Sequence, residues 1–129
     1  MKYDIKFLSD RDGVVLIPLK VNGMTTGSQS VLQRFIVTLF TSASETRLFA
    51  GDLYSKLSGC NLSEDNVTQV VYTTALQTIN FLNTSQNTII GSFDITNVTV
   101  NNDTVVISAV IYIDNSFVDF EMNLSLNRD

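Results

Sequence analysis

The hydrophobic period changes along the chain, and each change marks an element. Tyr3, Ile5 and Phe7 alternate with Lys2, Asp4 and Lys6, the period-2 pattern of a strand with one buried face. Asp10-Arg11-Asp12-Gly13 follows and predicts a turn, because Asp side chains bond to nearby backbone and Gly accepts positive φ. An extended run resumes over residues 14–17 and meets Pro18, which cannot donate to a ladder and belongs at a sheet edge or a strand end. Residues 1–25 are expected to form an extended arm or a hairpin.

From Thr26 the period lengthens. Leu32, Phe35, Ile36, Leu39 and Phe40 recur at the i, i+3, i+4, i+7, i+8 spacing of one helix face. Thr26 and Gln29 have capping-box spacing, so Thr26 or Ser28 starts this helix. Residues 42–59 read as a loop with one or two helical turns around Leu48, Phe49, Leu53, Tyr54 and Leu57. Ser63 caps a second helix, Glu64 and Asp65 suit its positive end, and Leu62 and Val67 have the spacing of a hydrophobic staple. Val67, Val70, Val71, Ala75, Ile79 and Leu82 line its apolar face, which Thr74 and Thr78 complete. The β-branched content of this stretch lowers helix propensity, so the same residues also have some strand character.

After Asn83 the period returns to two. Phe93 and Ile95, then Val98 and Val100, lead to the turn residues Asn101-Asn102-Asp103. Over residues 104–113, Val105, Ile107, Ala109, Ile111 and Ile113 share one face while Val106, Val110 and Tyr112 share the other, as in a central strand. Asp114-Asn115-Ser116 turns the chain again. Val118, Phe120, Met122, Leu124 and Leu126 then alternate with Asp119, Glu121, Asn123 and Ser125, one dry face against one acidic face. The fold class expected is α+β, with two helices packed as a layer on a small three-stranded antiparallel C-terminal meander. One domain spans residues 1–129: an arm or hairpin (1–25), a helical part (26–82) and an antiparallel sheet (89–127).

With 129 residues, the chain is long enough for one core. Hydrophobic residues make up 44% and charged residues 16%, which argues for folding rather than disorder. The net charge of −5, with basic residues scattered singly, argues against nucleic acid and anionic membrane as partners. No apolar run approaches a bilayer span and no signal-peptide core opens the sequence, so a soluble, unexported chain is expected. Asn-x-Ser/Thr triplets begin at Asn61, Asn66, Asn83, Asn97, Asn102 and Asn123; without an export signal they read as a product of Asn-, Thr- and Ser-rich composition.

Catalytic chemistry finds little footing. Histidine is absent, which removes the commonest general base and metal ligand. Cys60 is the single cysteine; it sits beside Gly59 with no basic neighbour to lower its pKa and reads as an inert thiol. Asp10/Asp12, Glu64/Asp65 and Asp119/Glu121 have simpler accounts as turn chemistry, helix-end charge and strand-face solvation. Asp119 and Glu121 offer fewer ligands than calcium or magnesium takes. The expected protein is not an enzyme and holds no metal or cofactor. What remains is interaction chemistry: an open strand accepts another chain's strand through its main chain, and an extended N-terminus can donate one.

Residues 30–59, SVLQRFIVTLFTSASETRLFAGDLYSKLSG, resemble the opening of the sheath-initiator family, small baseplate wedge proteins of contractile phage tails that also occur in type VI secretion baseplates. The matching residues are Arg34, Leu39, Thr41, Glu45, Phe49, Asp52 and Tyr54, and a second helix and antiparallel hairpin follow in the family's order. The chain lacks the Glu-Pro-Arg sequence many members carry after the second helix, and the Gly that often precedes the acidic residue at Glu45. The resemblance implies a structural virion protein of the phage tail baseplate, assembled in the host cytoplasm. Its implied partners are the tail sheath protein, baseplate wedge proteins and the tail tube, with several copies placed around the tail axis. It would start sheath assembly by strand exchange with the first sheath ring. The expected exchange surface is the N-terminal strand together with Val118, Asp119, Phe120, Glu121, Met122, Asn123 and Leu124, with Arg34, Glu45 and Arg47 as polar anchors. Alternative readings are a tail terminator or completion protein, and a secreted adhesion module glycosylated at its sequons.

Overall fold

A computed structural model describes residues 14–22, 26–41, 49–85 and 88–126. The element order is β1 (Val14–Asn22), α1 (Thr26–Phe40), α2 (Leu53–Ser58), α3 (Glu64–Ser85), β2 (Ile90–Asn101), β3 (Thr104–Ile113) and β4 (Ser116–Ser125). The strand expected around Tyr3 to Phe7, the other half of the N-terminal hairpin reading, lies outside the described residues.

The helices follow the periodicity. Leu32, Phe35, Ile36, Leu39 and Phe40 of α1 are all buried. The single helical excursion expected within residues 42–59 is α2, which buries Leu53 and Leu57. At the start of α3 the Ser63 hydroxyl accepts a hydrogen bond from the Asn66 N–H at 3.1 Å, with Glu64 and Asp65 in the first turn. This cap satisfies one of the donors a helix start leaves free and places negative charge at the positive end of the dipole. Thr74 and Thr78 lie on the dry face of α3. Both are buried, and the Thr78 hydroxyl donates to the Thr74 carbonyl at 2.8 Å, so its polar atom needs no partner across the core.

β2, β3 and β4 form the expected antiparallel meander. Its two connections pass through Asn102 (φ 56°) and Asp114 (φ 55°), residue types that tolerate left-handed backbone. Alternation places Val118, Phe120, Met122, Leu124 and Leu126 in the core. The rings of Phe35, Phe93 and Phe120 run through this core, with centroids 5.8 Å and 6.4 Å apart in succession. On β3, Ala109 stands opposite Phe120 of β4 and opposite Ile95 of β2, and its small side chain leaves space for the rings of the flanking strands to meet above it.

The helices cover one face of the sheet: α3 packs on β2, α1 on β3, and α1 and α2 pack against α3. β1 completes a four-stranded sheet in the order β1-β4-β3-β2. It runs antiparallel to β4, with Val14 opposite Leu124 and Asn22 opposite Phe117, and its register shifts between Pro18 and Lys20. Pro18 thus lies in a border strand, where a missing donor is tolerated.

The junction from α3 to β2 is held by Asn83. Its Oδ1 accepts from the Ile90 N–H at 3.0 Å and from the Thr88 hydroxyl at 2.7 Å, while its Nδ2 donates to the Ile90 carbonyl at 2.9 Å. One amide thereby satisfies both backbone groups of the first β2 residue and ties the last turn of α3 to the start of the sheet.

Candidate functional site

β4 is the strand to which the sequence assigns partner exchange, and its surroundings correct that assignment. β3 borders it on one side and β1 on the other, so its backbone is paired along both edges by its own chain. Val118, Phe120, Met122 and Leu124 have no exposed area. They cannot form a contact face for a partner, because burying them against the helices is what holds the sheet to the helical layer. Alternation marks these residues as one face, and that face is the core.

Asp119, Glu121 and Asn123 occupy the opposite face and are half-buried. The Asn123 amide donates to Glu121 at 3.0 Å, and the register sets Lys20 of β1 opposite Asp119 and Ile17 opposite Glu121. Arg34 is exposed on α1, away from these residues in sequence and on the helical side of the sheet. Glu45 and Arg47 lie outside the described residues, so the proposed trio of polar anchors is represented there by Arg34 alone.

The remaining residues that carry the family resemblance form a joint between layers. Leu39 is buried in α1. After α1 the described chain returns with the Gly51 N–H donating to Thr38 O and the Asp52 N–H to Thr41 O, both at 2.9 Å. Gly51 fits because the chain passes against the backbone of Leu39: a Cβ built on it would sit 2.5 Å from the Leu39 carbonyl oxygen. Phe49 stacks on Phe81 of α3 with centroids 5.4 Å apart. The Tyr54 hydroxyl donates to the carbonyl of Ser125 at 2.7 Å, pinning α2 to the last residue of β4. These residues fix where the helical layer meets the end of β4. Nothing in their spacing along the chain signals that packing.

The border of β4 beneath β1 is what the sequence reading missed. β1 packs chiefly on β4, is an outermost strand, and contains Pro18. The one sequence signal was Pro18 itself, which pointed to an edge but not to which strand it would join. β2 forms the other border of the sheet, with register shifts between Ile90 and Ser92 and between Ile95 and Asn97. Such bulges twist a border strand away from regular pairing; β2 has two of these shifts and β1 has one, between Pro18 and Lys20.

Two surface concavities run along α3. One of about 660 Å³ lies between α2 and α3, among Lys56, Cys60, Asn66, Val70, Thr73 and Gln77. The other, of about 460 Å³, is lined by Phe49, Gln77, Asn80, Phe81, Thr84 and Ser85. Cys60 is half-buried and its thiol donates to the Leu57 carbonyl at 3.4 Å. Among the sequon asparagines, Asn83 uses its amide in the α3–β2 clamp and Asn66 donates to the Asn61 carbonyl at 3.0 Å. A glycan on Asn83 would remove a donor that the fold uses.

These features define an α+β domain whose meander carries helices on one face and, on its β4 side, a strand supplied from before the helices. The chain matches no protein-family model, no curated protein and no solved structure. Among the described residues no helix is long and apolar enough to cross a membrane.

Proposed function

We propose that the protein is a baseplate component of a contractile phage tail, where it nucleates the tail sheath by strand exchange with the first sheath ring while binding baseplate wedge proteins beside the tail tube. The observation that carries this reading is β1: a border strand held to β4 by an antiparallel ladder, over a strand whose inward face is a finished core. The order of helix, helix and meander, in which residues resembling the sheath-initiator family join the layers, supports the same reading.

In this mechanism a strand of the sheath subunit takes the position of β1 on β4. The exchange replaces one set of backbone hydrogen bonds by an equivalent set, so its net free energy is set by how well the incoming side chains fit the alternating positions. Register follows from the same alternation, because a slip of one residue would turn every apolar side chain of the incoming strand to the wrong face. Copies arranged around the tail axis then present the first sheath ring with identical, equally registered ladders.

A reversible lock tests this. Val15 and Asn123 stand opposite each other, within the span a disulfide bridges across an antiparallel pair. In a Cys60→Ser background, Val15→Cys with Asn123→Cys should support short sheath polymers, capped at one end by this protein, when reduced and mixed with a candidate sheath protein. The oxidised form should not. Equal polymer formation in both states would sink exchange at β4, and binding at tube ends instead of sheath ends would mark a tail terminator.

A further inference from the structure

Beyond its first turn, where Glu64 and Asp65 are exposed, the outward face of α3 carries no charge. Residues 66–93 contain no Asp, Glu, Lys or Arg, although they include most of a 22-residue helix with a solvent-facing side. That side presents Gln69, Tyr72, Thr73, Leu76, Gln77 and Asn80, all exposed, with Tyr72 and Leu76 each 42% exposed. A helix that only faces water is normally dressed with charged residues on this side. Loss of charge around a tyrosine and a leucine is instead the compositional mark of an interface core.

We infer that α3 is a self-association face, on which a second copy of this chain packs with its own α3 antiparallel about a two-fold axis near Leu76. Charge selects this occupant. The molecule has a net charge of −5, so two copies repel unless they meet where neither has a carboxylate. The outer face of the sheet fails that condition, since β2 presents Asp94 and β4 presents Asp119 and Glu121 there. A basic partner would be drawn to that acidic sheet face; the neutral helix face offers it no attraction. A neutral surface is compatible with itself, and a two-fold contact uses one patch twice.

The antiparallel direction follows from the ends. Glu64 and Asp65 lie in the first turn of α3, and a parallel pair would bring both acidic turns together. An antiparallel pair separates them by roughly 30 Å, the length of 22 residues at about 1.5 Å each. With Leu76 at the axis, Tyr72 of each copy falls beside Asn80 of the other, where the phenol and the amide can bond. Because α3 packs on β2 and β1 occupies the opposite border of the sheet, this contact leaves β4 and β1 free. It does not rest on the proposed role in sheath assembly.

The test is sedimentation equilibrium of the full chain over a concentration series. A monomer–dimer equilibrium is expected, weakened about tenfold or more by Leu76→Glu, which sets two carboxylates face to face at the axis, and unchanged by Glu121→Gln on the sheet. In a Cys60→Ser background, Leu76→Cys should form a disulfide-linked dimer under mild oxidation while Glu64→Cys should not, which decides the matter even if Leu76→Glu misfolds. A monomer at all concentrations, a dimer indifferent to Leu76→Glu in a folded variant, or equal cross-linking at the two cysteine positions would overturn the inference.

Discussion

Phe120→Ala is expected to lower the folding free energy by about 3–5 kcal/mol, the range for removing a fully buried aromatic ring, whereas Glu121→Ala, one residue on, should cost about 1 kcal/mol or less. Phe120 has no exposed area and its ring meets that of Phe93, so truncation leaves a cavity where the helical layer sits on the sheet. Glu121 is half-buried on the opposite face and bonds to Asn123. Urea denaturation of the two variants reads this difference as a shift in midpoint at constant slope. Against a total stability of about 5–15 kcal/mol for a domain of this kind, the first loss is large. Similar costs for the two substitutions would mean that β4 does not present alternate residues to core and solvent. The same logic makes deletion of residues 118–129 a poor probe of partner binding, because it removes the core with the strand.

Gly51→Ala is the second substitution with a large expected effect. The added Cβ would lie 2.5 Å from the oxygen, 2.8 Å from the Cα and 2.9 Å from the carbonyl carbon of Leu39. All three are backbone atoms of a helix, so no side chain can turn aside to relieve the clash. The loop must move instead, breaking the Gly51 and Asp52 hydrogen bonds to Thr38 and Thr41. A loss of about 3 kcal/mol is expected, in the upper part of the range for overpacking a close contact, visible as a lower thermal midpoint. A variant as stable as the parent would show that the chain leaves α1 by another path.

The sequence makes the local elements plain because local periodicity has local causes. The apolar stripe from Leu32 to Phe40 and that from Val67 to Leu82 each need only one buried side, and both became helices despite the β-branched residues of the second. Thr74 and Thr78 explain why propensity lost: on the buried side of α3, tertiary packing outweighs the weak preference of Thr for extended backbone, and an i−4 carbonyl serves the Thr78 hydroxyl. Alternation over residues 118–126 likewise separated dry from wet positions.

The partner of β1 was not legible, since it lies far along the chain, whereas the meander pairs strands that adjoin in sequence. Pro18 says that its strand lies at a border; nothing near it says that the neighbour is β4, about a hundred residues later. That missing fact turned β4 into a supposed open edge and its core residues into a supposed contact surface. Gly51 and Asn83 were opaque for a related reason. A glycine needed for a close backbone approach and an amide clamping a helix to a strand are visible only once both partners are in place.

Amide hydrogen exchange of the free protein tests most directly whether β1 is a removable cover on β4. If it is, the β1 amides and the β4 amides bonded to them exchange through local opening, well before those joining β3 to β2 and β4, and the Val15/Asn123 disulfide slows them to the rate of the rest of the sheet. Protection of β1 equal to that of β3 without the disulfide would mean that the strand leaves only when the whole domain unfolds, and the exchange mechanism would be wrong.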